Sequence, residues 1–168
     1  MPEERIIVRF PALASAFGYA WSRLPPRSRL RRAVISRIVR LGYEAANRRD
    51  FDVVLAFFDR DFELHFDESP IGGFVPPDLM GVHRGHEAFL RVWDEAVASI
   101  DLKIEHHEVI DFGDRLLACG RQRGRGAASG IPVDEPVYQL FTLRRGMVIR
   151  EEDFVDRDKA LRAAGRPV

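Results

Sequence analysis

Two carboxylates separated by one residue, Glu151 and Asp153, are the strongest candidates for chemistry in this chain of 168 residues. Side chains two positions apart on an extended strand share a face, so these acids would sit close enough to interact. A second negative charge nearby disfavours ionisation, and one of the pair can then hold its proton near neutral pH and act as acid or base. Tyr138, on the strand before theirs, adds a phenol able to donate a hydrogen bond to a ligand carbonyl. The alternation of the last strand admits two readings. Either Ile149, Glu151, Asp153 and Val155 face inwards, or Val148, Arg150, Glu152 and Phe154 do and the acids are solvated.

The histidines offer less. His83 and His86 have a ligand-like spacing but straddle a loop and a helix start, and His106 and His107 point to opposite faces of one strand. His65 runs out of phase with Phe62, Leu64 and Phe66, which places it on the rim or outside. A zinc site needs three or four converging ligands, and no such set is legible. There is no nucleophile elbow, phosphate-cradling glycine loop or dinucleotide fingerprint, so neither metal nor cofactor is expected. Cys119 is the single cysteine, which fits a reducing compartment.

Composition narrows the class further. Lys+Arg and Asp+Glu both number 26, so the formal charge is zero and no global attraction to nucleic acid or membrane follows. Arginines crowd the stretch from Arg23 to Arg49, where Glu44 is the only acid. That pattern reads as the solvated back of an amphipathic helix, or else as a polyanion-binding face depending on Arg31, Arg32 and Arg37. The start, Met1-Pro-Glu-Glu-Arg, lacks the basic region of a secretory signal, and Pro11 to Trp21 is too short to span a bilayer. A cytoplasmic protein is expected.

The elements that must position these groups follow from periodicity. Residues 1–27 form an extension with a short helix, in which Leu13, Phe17, Ala20, Trp21 and Leu24 recur at helical spacing before Pro25-Pro26. Ser28 caps a second helix with the stripe Leu30, Val34, Ile38, Leu41 and Ala45. Asp50 is a cap for a third, Phe51 to Phe58, and Phe62 to Phe66 alternates as a strand. Glu68 to Gly85, rich in Gly and Pro, reads as a long loop, and His86 to Ile100 as a helix with Phe89, Trp93, Ala96, Val97 and Ile100 inside. Then come four strands. Leu102, Ile104, His106, Glu108 and Ile110 share a face of the first; Arg115 to Arg125, Val133 to Leu143 and Met147 to Val155 follow, and a helix from Arg157 to Ala164 ends at Gly165. Small residues at Gly120 and Gly124 mark a bend or a close approach. Strands do not alternate with crossover helices, so the class is α+β.

Several words in this order resemble one family. They are the run from Asn47 to Leu64, His83-Arg-Gly-His-Glu-Ala-Phe, Val109-Ile-Asp-Phe-Gly-Asp-Arg-Leu-Leu, and Phe141 to Arg150 with Asp156-Arg-Asp-Lys-Ala-Leu after it. Residues 28–168 are identified on these words as a SnoaL-like domain of the nuclear-transport-factor-2-like superfamily. The resemblance implies a cone-shaped, curved, mainly antiparallel sheet wrapped around N-terminal helices, with a pocket at its open end. Tyr43, Phe57, Phe58, Phe66, Trp93 and Leu140 would line it for a small, mostly apolar molecule, with Glu151, Asp153 and Tyr138 as its catalytic candidates. The ketosteroid isomerase set is not reproduced, because its base, oxyanion tyrosine and protonated acid fall at Phe66, Gly42 and Tyr138. A homodimer packed through the sheet is a further implication. Three classes remain: a binding protein without catalysis, a cofactor-independent isomerase, cyclase or lyase, and a protein-interaction module.

Overall fold

The computed structural model describes residues 8, 11–26, 28–66, 79–98, 101–126 and 129–165. Most of the expected long loop, and the inner positions Ala96, Val97 and Ile100, lie outside the residues or side chains described. The order is α1 (Pro11–Ser22), α2 (Arg29–Asn47), α3 (Phe51–Leu55), β1 (Phe58–Phe66), β2 (Gly81–Arg84), α4 (Gly85–Ala98), β3 (Lys103–Asp111), β4 (Arg115–Arg125), β5 (Pro132–Arg144), β6 (Met147–Phe154) and α5 (Arg157–Ala163). Among the described residues the strands make one sheet, ordered β2-β1-β6-β5-β4-β3. Only the β1–β6 pairing is parallel. The α+β class expected from the sequence is therefore the class observed.

The two faces of the sheet bury different things. On β4, Leu116 and Ala118 pack inwards with Trp21, Ile35 and Val39, whereas Leu117 and Cys119 pack outwards with Leu140, Ala160 and Leu161 beneath α5. Alternation along one strand thus serves both layers. A further inner cluster joins α3, β1 and α4 through Val53, Val54, Phe62, Phe89 and Val92. Gly120 accounts for its small size: a Cβ there would lie 2.6 Å from the Glu105 carbonyl of the neighbouring strand.

Helix α2 is rotated slightly from the expected stripe, of which Leu41 and Ala45 are buried and Val34 and Ile38 pack half-buried on the inner cluster. Its buried positions are Arg31, Ile35, Val39, Leu41 and Ala45, while Leu30 is exposed. Ser28 caps the helix as expected, accepting from the Arg31 amide at 3.0 Å. Asp50 makes no such side-chain bond, and α3 stops at Leu55, so that Phe58 already belongs to β1. The edge strand β2 was not legible, being four residues long and bounded by Gly81 and Gly85, both at positive φ.

Two bulges break the alternation read from sequence. In β3 the pairing shifts between His106 and Glu108, so His107 is the extra residue and the face changes there. Ile104 and His106 face inwards, but Val109 joins the inner cluster and Ile110 the outer one. In β6, Leu143 faces Val148 and Thr142 faces Arg150, which leaves Ile149 as the extra residue.

Candidate functional site

The inner face of β5 and β6 carries the site. Gln139 pairs with Asp153 and Phe141 with Glu151 across the two strands, so all four share that face. The Ile149 bulge decides between the two readings of β6. A strictly alternating strand cannot place Val148 and Glu151 on one side, yet both line the same cavity. The acids therefore face inwards as in the first reading, and of the second only Val148 lies on the cavity side.

The cavity measures about 100 Å³ and is apolar on nearly every side. Ile38, Val39, Gly42, Tyr43 and Ala46 come from α2, Phe57 from the turn before β1, Phe58 from its first position, and Phe89 and Trp93 from α4. Trp21 of α1 closes another side together with Leu143 and Gly146. Phe58, Phe89 and Trp93 of this lining, with Phe62 behind them, form a continuous set of ring contacts with centroids 4.9–6.0 Å apart.

Three polar side chains reach the cavity in a chain. The Tyr43 hydroxyl donates to Gln139 Oε1 at 2.6 Å, and Gln139 Nε2 donates to Glu151 Oε1 at 2.6 Å. Glu151 is only 5 % exposed, and its Oε2 has no hydrogen-bond partner. Burial, and then the charge of Asp153, hold the Glu151 carboxyl well above the usual range, with the Gln139 bond opposing. Burial also raises Asp153, to about 7, against the opposing Gln139 hydrogen bond. One Asp153 oxygen, Oδ1, is sealed without a partner. The Tyr43 phenol is pushed up by burial and by the two acids, so it stays neutral and donates. The His106 ring stacks on Tyr43, 5.3 Å between centroids and 9° from parallel, and fixes its plane.

The arrangement is a carboxyl that burial pushes towards its neutral form, beside a second one raised to about 7, at the wall of an apolar cavity. It can donate a hydrogen bond or a proton to a ligand oxygen and take a proton back. Of the residues named from sequence, the structure brings together Glu151, Tyr43, Phe57, Phe58 and Trp93 as lining, with Asp153 alongside. Phe66 sits in the α3–β1–α4 cluster and does not line the cavity. Tyr138 and Leu140 are on the other face of β5, packed with Leu117, Cys119 and α5. Gln139 was missed, although a signal existed: Val137 and Phe141 flank it at steps of two, so an amide stands within an apolar row. Trp21 was read as part of an extension, with nothing to connect it to the pocket. Among the described residues, no three His, Cys, Asp or Glu side chains converge as a metal site.

The chain belongs to the SnoaL-like domain family, which matches residues 39–151. No curated protein matches it. Solved structures with the same fold include an NTF2-like protein of unknown function from Burkholderia pseudomallei, 24% identical with TM-score 0.63, covering 76% of this chain and 94% of that one. A putative polyketide cyclase from Xanthomonas campestris pv. campestris is 20% identical with TM-score 0.57, covering 77% and 95%. A protein of ketosteroid-isomerase-like fold from Catenulispora acidiphila, in complex with trimethylamine, is 15% identical with TM-score 0.58, covering 77% and 93%. The superfamily expected from the sequence is thereby the one observed.

Proposed function

We propose that the protein binds a small, mostly apolar molecule bearing one carbonyl or hydroxyl oxygen and acts on it as an acid–base catalyst. The observation that carries this reading is Glu151, a buried carboxyl at an apolar cavity wall with one oxygen unpartnered. Such a group is costly to bury and needs a reason to be there. A ligand oxygen would supply the missing partner. The reaction class that suits a neutral acid and a nearby carboxyl is proton movement next to a carbonyl, as in an isomerisation, cyclisation or elimination. Glu151 would be the catalytic residue, giving its proton to the carbonyl oxygen while a solvent water takes the α-proton and Glu151 is reprotonated from solvent; Asp153, which does not line the cavity, would set its proton affinity. Tyr43, through Gln139, would hold the Glu151 carboxyl in place.

The names of some relatives, a putative polyketide cyclase among them, agree with a small organic substrate. Polar groups in the cavity are few, which agrees with the alternative of binding without turnover. One experiment separates the two. Small cyclic ketones are incubated with the protein in deuterated water, and loss of the α-proton signals is followed by NMR. Wild type should speed exchange, and Glu151→Gln should lower that rate by about 10²–10⁴-fold with ketone affinity kept. Ketone binding with no exchange would leave a binding protein only. The homodimer implied by the resemblance belongs to the same proposal, using the outer sheet face that α5 leaves open. A monomer mass in sedimentation at micromolar concentration would remove it.

A further inference from the structure

One wall of the cavity comes from outside the family match, which begins at residue 39. Trp21 of α1 is 4 % exposed, packs with Ile35, Val39 and Leu116, and lines the cavity. It is held from two directions. The Arg31 guanidinium lies over the indole, 5.2 Å from the ring centroid, and its Nη1 donates to the Ser22 and Leu24 carbonyls at 3.1 and 3.2 Å. On the other side the backbone of α1 meets the β5–β6 turn, where Gly18 and Gly146 touch and neither has room for a Cβ without displacement. A side chain clamped in this way cannot swing aside cheaply, so it sets a boundary rather than a soft contact.

We infer that Trp21 is a specificity-determining residue that limits the ligand to about one ring. The inference rests on the reading of the cavity as a ligand site. With the indole in place the cavity is about 100 Å³, comparable to engineered apolar cavities of ~150 Å³ that take benzene. The indole is itself bicyclic, so replacing it with a methyl group frees space of the size of a second and third fused ring.

The test uses the full chain and three phenols of increasing size: phenol, 2-naphthol and 9-phenanthrol. Dissociation constants are measured by calorimetry or probe fluorescence for wild type, Trp21→Phe and Trp21→Ala. The quantity read is the ratio of the 9-phenanthrol to the phenol constant, which a general loss of stability does not change. The ratio should fall at least about tenfold in Trp21→Ala, with Trp21→Phe between. Equal ratios in the three proteins, with binding retained, would overturn the role of Trp21 and leave the ligand site standing. If Trp21→Ala does not fold, an unchanged ratio in Trp21→Phe is equally fatal. Failure of all three phenols to bind any of the proteins would remove the ligand reading itself, and this inference with it.

Discussion

An acid buried at an apolar wall has two ways to be tolerated: an opposite charge close by, or its own proton. Glu151 has no cation within its hydrogen-bonding set; its partner is the Gln139 amide, and its neighbour is another acid. The proton is therefore the solution, and it is also what makes the group useful. The same physics predicts how stability depends on pH. Asp153 has a folded pKa of about 7, above the ~3.9 of an unfolded aspartate. Its contribution to stability is fully present below about pH 4 and is lost as pH rises through 7. Urea denaturation from pH 4 to 8 should show wild type losing stability relative to Asp153→Asn as pH rises, with a slope of at most ~1.4 kcal/mol per pH unit per proton. A parallel pair of curves would mean that Asp153 is ionised in the fold throughout. The acids themselves were legible from their spacing, but Gln139 between them was not chosen. Alternation on β5 offered Tyr138 and Leu140 equally well, because α5 buries that outer face too.

At the scale of elements, what alternation and helical spacing cannot report is a bulge or a buried ion pair. His107 and Ile149 each shift a strand by one residue, and no local feature of either stretch announces it. The arginine-rich helix misled for a related reason. Arg31 stands one turn before Ile35 on the buried side, at 2 % exposure, and was counted with the solvated arginines. Its Nε and Nη2 bond both Asp111 oxygens at 2.7 and 3.0 Å, and Nη2 also donates to the Gly113 carbonyl. Together with the two carbonyls after Trp21, this joins α1, α2 and the β3–β4 turn through one guanidinium. Arg31→Met should therefore cost about 3–5 kcal/mol, because it strands the buried Asp111 charge. Arg31→Met combined with Asp111→Leu should recover much of that loss in the same denaturation experiment. If the double variant is no more stable than the single one, the cost lies in the lost contacts to α1 instead.

Over the whole molecule, the order of elements and the family words were enough to give the class and the superfamily. The hydrophobic rows of α2, β4 and β5 must be covered on both faces of the sheet, and few layerings do that. The cavity within it follows from a curved sheet whose helices do not fill it completely. Its location at Phe57, Phe58 and Trp93 agrees with what the family resemblance implied, whereas Phe66 and Leu140, implied in the same way, pack away from it. The contribution of α1 was not, because a short helix ahead of a proline pair carries no signal of where it docks. Among the described residues no helix is long and apolar enough to cross a membrane. The structure thus presents an apolar cavity enclosed by elements from both ends of the chain, with one chain of hydrogen bonds entering it from Tyr43 to Glu151.

The claim on which this account depends is that Glu151 keeps its proton at neutral pH. Infrared difference spectroscopy of wild type minus Glu151→Gln at pH 7 reads that proton directly, through the carbonyl stretch of an un-ionised carboxylic acid. The account predicts that band in wild type, shifted on deuteration and absent from the variant. A difference spectrum containing only the carboxylate stretches would show Glu151 ionised, and the acid at the cavity wall would have no proton to give.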